Sequence, residues 1–224
     1  MSKKFYITLI IVASILLVNF IIISAILYAN NFVALPIDTT IANFFYNIRG
    51  EYGGFGYWFF RIFTELGYTY VIVAILIIFA LCNRFKLQSW LFAGATLFTW
   101  GFQKILKLIF DRPRPDETLW WMTESSSSFP SGHSMMVTFV FAILIYLILT
   151  SPKLKSWLRT TFVVLSTFAI IIVPISRLVL GVHYFTDVLG GICIGGAMAI
   201  LFIILHSYFT AKKQQNPQKT VKKQ

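Results

Sequence analysis

Ser125-Ser126-Ser127-Ser128-Phe129-Pro130-Ser131-Gly132-His133-Ser134 runs directly into an apolar stretch that starts at Met135 and lasts to Leu149. A polar loop thus hands over to a helix long enough to enter a membrane, predicted over 134–150. Gly132 lets the backbone come close to a ligand, and the first amides of the following helix lack internal partners. Those amides and the helix dipole both favour an anion at such a start. The same residues also fit a plain loop closed by a capping serine. The flanking sequence decides between these readings.

Of the 224 residues, 58% are apolar and only 12% are charged, about half the charged fraction of a soluble domain. This composition predicts an integral membrane protein, an all-α polytopic bundle. Upstream, residues 5–29 form an apolar segment behind Lys3 and Lys4, long enough to span with some tilt. It exceeds the apolar core of a secretory signal and lacks an Ala-x-Ala site, so it is expected to stay as a first helix. Residues 30–54 read as a polar connection with Pro36, Asp38, Arg49 and Glu51. The aromatic run 55–63 reads as an interfacial segment in which Arg61 and Glu65 can pair at i, i+4. Further crossings are predicted at 68–82, 90–110, 134–150, 160–175 and 188–209, six transmembrane helices in all. The connection 111–130 carries Trp120 and Trp121, expected as interface anchors. Residues 1–210 then form one six-helix domain, and 211–224 a disordered basic cytoplasmic tail.

Six crossings place both termini on one side. That side carries twelve basic residues and no acid, whereas the other carries seven basic residues and all eight acids, so the net charge of +11 divides into +12 and −1. The positive-inside rule makes the first side cytoplasmic. The basic balance is therefore an orientation signal and gives no reason to expect a nucleic-acid partner. Cys82 and Cys193 have no metal-ligand spacing and are expected as buried, reduced thiols.

The outer loops gather the chemistry. Lys107 and Arg114-Pro115 flank the end of the third crossing, Ser131-Gly132-His133 the start of the fourth, Ser176-Arg177 the end of the fifth, and His183 and Asp187 the start of the sixth. A lysine as deep as Lys107 costs roughly 2.5–3.5 kcal/mol on insertion scales unless it snorkels or faces a polar cavity. Lys104 and His206 have no partners in this scheme and read as structural. His183 and Asp187 are four apart, within hydrogen-bonding reach on one helix face. A carboxylate on one ring nitrogen leaves the other with a free lone pair, the requirement for a histidine nucleophile. The pair also fits a cap at a helix start.

Lys107-x6-Arg114-Pro115, Pro130-Ser131-Gly132-His133 and Ser176-Arg177-x5-His183-x3-Asp187 together resemble the three-part signature of the type 2 phosphatidic acid phosphatases, with every fixed position in order and spacing. The resemblance implies a membrane helical bundle that hydrolyses phosphate esters or diphosphates, usually of lipids, with no metal or other cofactor. It implies that His183 becomes phosphohistidine, that Asp187 orients it, and that His133 protonates the leaving oxygen. Lys107, Arg114 and Arg177, with Ser131 and the Gly132 amide, would bind the phosphoryl oxygens. The expected substrate is a lipid phosphate at the outer face of the cell membrane, of the phosphatidylglycerol phosphate, phosphatidate or undecaprenyl diphosphate type. The same intermediate would serve a lipid or sugar phosphotransferase. A transporter lined by buried charges and a serine hydrolase on Ser131 or Ser176 fit less well, since three convergent cations suit phosphate and no Gly-x-Ser-x-Gly elbow is present.

Overall fold

The computed structural model describes residues 3–151 and 154–215. Among these, helices α1 (Lys3–Ala29), α2 (Pro36–Ile48), α3 (Phe55–Thr64), α4 (Thr69–Cys82), α5 (Leu87–Phe110), α6 (Gly132–Leu149), α7 (Ser156–Val179) and α8 (Phe185–Gln215) form a multi-pass, all-helical membrane fold with no strand. Helix α8 continues five residues into the segment expected as a tail; residues 216–224, and Lys153 of the basic side, lie outside the described residues.

Helix α6 is the axis of the bundle. It packs against α8, α7 and α5, while α1 covers α8. Phe92 of α5, Val137, Val140 and Ile143 of α6, Val173 of α7 and Ala199 of α8 share one buried core. Close approach of α6 and α8 depends on small residues: a Cβ at Gly195 would lie 2.4 Å from the Met135 carbonyl oxygen, and one at Gly191 2.6 Å from that of Ser131. Lipid offers no hydrophobic drive between helices, so such close backbone packing has to supply the association. Outward, α1 exposes Ile7, Ile10, Ile11, Ile15, Val18 and Ile21, an apolar surface matched to lipid.

Helices α1, α6, α7 and α8 are each long and apolar enough to cross a membrane, and α3 with α4 makes a fifth candidate, bent by 55°. At 14 residues, α4 spans only about 21 Å of a roughly 30 Å hydrocarbon core, so it needs α3 to complete a crossing. Arg61 and Glu65 form the expected ion pair at this bend.

Three expectations change. Residues 36–48 are the helix α2, where a polar connection was expected, because Pro36 sits at its first turn and Ile37, Ile41, Phe45 and Ile48 recur at helical spacing. Trp121 is not an interface anchor: it is buried with Val179, Leu180 and Val182, under the Arg49 guanidinium at 4.3 Å. Of the two free cysteines only Cys193 is buried; Cys82, at the end of α4, is exposed.

Candidate active site

The ends of α5, α6, α7 and α8 meet under the loop 111–131. A cavity of about 120 Å³ there is lined by Lys107, Arg114, Gly132, His133 and His183, together with Gln103, Glu124 and Ser126. Five of the eight residues expected to form a site therefore share one cavity, although they come from three separate stretches of chain.

His183 lies in the turn before α8, and Asp187 in the first turn of that helix. The pair thus meets across a helix start, not along a helix face. Asp187 caps α8 by accepting the Tyr184 backbone N–H at 2.8 Å and also lies 3.5 Å from Nδ1 of His183. Capping and catalytic readings coexist in one carboxylate. On the other side of the ring, Nη1 of Arg114 stands 3.3 Å from Nε2. A guanidinium only donates, so this nitrogen presents its lone pair and Nδ1 carries the proton.

Burial, followed by the charges of Arg114, Arg177 and Lys107, holds the His183 imidazole well below the ordinary histidine range, partly opposed by the Ser128 backbone. A depressed pKa keeps the ring neutral at pH values where a free histidine is already half charged. In protein with isotope-labelled histidine, which has three such residues, the His183 signal should remain that of a neutral ring at about pH 6.5. Half-protonation at or above that pH would contradict this geometry.

The cations are held by backbone carbonyls and by side-chain oxygens. Lys107 donates to Ser126 Oγ at 3.0 Å and to the Ser127 carbonyl. Arg114 donates to the carbonyls of Ser126 at 2.6 Å and Val182 at 2.7 Å. The four-serine run therefore works as a cradle that aims Lys107 and Arg114. Arg177 is fully buried, bonded to Thr64 Oγ1 at 2.9 Å and paired with Glu124, whose carboxylate also lies 3.6 Å from Arg114. Glu124 is a site residue that the sequence reading passed over.

His133, in the first turn of α6, has its ring edge-on to Tyr68 at 4.7 Å, and its Nε2 is buried without a hydrogen-bond partner. Gly67 makes room for this ring, since a Cβ there would lie 2.5 Å from it. Ser131, like Arg177 and Asp187, lies outside the cavity wall. Its buried hydroxyl caps α6 by accepting the Ser134 backbone N–H at 3.5 Å, and it also accepts the Ser134 hydroxyl at 3.0 Å. Lys104 lines the cavity after all, 5.5 Å from the Trp100 ring. His206 bonds to the Tyr146 hydroxyl at 3.0 Å far along α8, a structural contact. Among the described residues no group of three or more His, Cys, Asp or Glu could hold a metal ion.

The arrangement of a lone-pair nitrogen, a second histidine and convergent cations suits transfer of a phosphoryl group. A family model described as the PAP2 superfamily matches residues 88–211, which include Lys107, Arg114, His133 and His183. Phosphatidylglycerophosphatase B of Bacillus subtilis is 38% identical over 106 residues, which are 47% of this chain and 50% of that relative. The chain thus matches about half the length of that curated relative. Among solved structures, the transmembrane PAP2-type phosphatidylglycerolphosphate phosphatase of Bacillus subtilis superimposes with a TM-score of 0.78 and 26% identity, over 88% of this chain and 96% of that one. LpxE of Aquifex aeolicus shares the fold, with a TM-score of 0.60, 22% identity, and 75% and 96% coverage.

Proposed function

Because the chain belongs to the PAP2 superfamily, we propose that it is an integral-membrane lipid phosphatase working through a phosphohistidine on His183. The observation that carries this reading is the placement of the His183 ring, with Arg114 3.3 Å from Nε2 and Asp187 3.5 Å from Nδ1. Nε2 attacks phosphorus in line, the bond to the leaving oxygen breaks, and His133 supplies that oxygen with a proton. Lys107, Arg114 and Arg177 balance the charge on the phosphoryl oxygens, with the first amides of α6 at Gly132. Water then cleaves the phosphorus–nitrogen bond, releasing phosphate and restoring His183. Glu124 must give up its arginine partners to an incoming phosphate.

The substrate is a membrane lipid carrying a phosphomonoester or diphosphate, of the phosphatidylglycerol phosphate, phosphatidate or undecaprenyl diphosphate type. A name borne by a Bacillus subtilis relative and the similarity to its phosphatase structure favour the first. Adding α5 to the five candidate spans gives six crossings in one domain, 1–210, with the basic segment 211–224 and the N-terminus cytoplasmic. The site then opens at the outer face, where a head group meets it while its acyl chains stay in the bilayer.

Purified protein in detergent should release phosphate from at least one member of a panel of these lipid phosphates. The rate should survive excess EDTA, because side-chain cations serve in place of a metal. Loss of activity on chelation, restored by Mg²⁺, would contradict the proposed chemistry, and a panel with no phosphate release would contradict the function.

A further inference from the structure

Arg112 has no place in the three-part signature, yet it is completely buried and its guanidinium is divided between two buried carboxylates. Nη2 donates to Asp38 Oδ2 at 2.7 Å and Nη1 to Asp187 Oδ1 at 2.5 Å. Asp38 stands in the first turn of α2, where it also accepts the Leu35 N–H at 3.1 Å. Its other oxygen takes the backbone N–H and hydroxyl of Thr186, both at 2.9 Å, and Arg112 Nη1 reaches the same hydroxyl at 2.8 Å. The Tyr184 ring lies under the guanidinium at 4.4 Å. Neither Asp38 nor Arg112 lines the cavity that holds the histidines.

We propose that Asp38 and Arg112 are positioning residues that clamp Asp187 and, through it, the Nδ1–H of His183. The proposal rests on the phosphohistidine reading. Asp187 Oδ2 receives the Tyr184 N–H and the Ser128 hydroxyl and faces His183; among the described residues only Arg112 holds Oδ1. Without that second anchor the carboxylate is free to turn away from the ring. The group also has the right charge. One guanidinium between two carboxylates leaves a net −1 behind the imidazole, which gains positive charge as Nε2 bonds to phosphorus. A lysine, as a point charge, cannot span both carboxylates as the planar fork does. The N-terminus of α2, distant in sequence from every signature residue, thereby becomes part of what aims the nucleophile.

The test is steady-state kinetics of the full chain in detergent, on the best lipid phosphate of the panel. Asp38→Asn should lower kcat roughly 10-fold, as expected for one member of a coupled network, and leave KM unchanged. Arg112→Lys should behave alike. In an Asp187→Asn background, Asp38→Asn should cause no further loss, because its only route to His183 has been cut. A merely structural role would show as equal losses in both backgrounds. If Asp38→Asn does not fold, Thr186→Val removes the hydroxyl that Asp38 and Arg112 share, with nearly unchanged shape, and carries the same expectation. Unchanged kcat, a loss confined to KM, or additive losses would overturn the clamp. The clamp alone fails if these variants are normal while His183→Ala is inactive; the underlying reading fails if His183→Ala is active.

Discussion

His183→Ala should abolish lipid phosphate hydrolysis, lowering kcat by roughly 10⁴-fold or more, the scale found when a nucleophile is removed from an intact catalytic unit. Nothing in the cavity can take its place. His133 approaches from another helix and has Tyr68, not a carboxylate, against its ring. Ser131 lies outside the cavity wall, with its hydroxyl capping α6. Lys107 is committed to Ser126 and Ser127. The variant should nevertheless still bind substrate, because the arginines and the lysine are untouched. Assaying phosphate release and substrate competition on folded His183→Ala protein checks both halves, and near-normal turnover would end the mechanism.

His133→Ala should be selective in its damage. General acid catalysis is typically worth about 10²–10⁴-fold, and the benefit is greatest when a poor leaving group departs. An alkoxide from a lipid needs the proton, whereas p-nitrophenolate is stable as an anion. His133→Ala should therefore depress kcat/KM far more for an alkyl lipid phosphate than for p-nitrophenyl phosphate, whereas His183→Ala should depress both alike. Equal losses in His133→Ala, with the activated ester spared in His183→Ala, would reverse the two roles.

The sequence made the site more legible than the membrane path around it. Lys107, Arg114, His133, His183 and Asp187 could be read because each sits at a helix end marked by Pro, Gly or a polar loop, and reading the apolar runs as crossings assigned those ends to one face. Arg112 and Asp38 could not be read in the same way, since their meaning lies in a contact 74 residues apart in the chain. A signal for Asp38 was nonetheless present: Pro36 followed by an acid two residues on marks a first helical turn. The polarity around it hid the apolar spacing of α2. The cap on α6 was legible at Ser131, whose hydroxyl accepts the Ser134 N–H. Glu124 stayed hidden because nothing local tells a loop acid that faces two arginines from one that faces water. The bend between α3 and α4 likewise depends on packing against α7 and α6, which periodicity does not record.

The most direct measurement of the central claim is the stereochemical course at phosphorus. A thiophosphate monoester made chiral with oxygen isotopes would be hydrolysed in isotopically labelled water and the configuration of the released thiophosphate determined. Attack by His183 inverts phosphorus once and attack by water inverts it again, so the account predicts net retention. Net inversion would mean that water attacks the ester directly and that His183 never carries the phosphoryl group.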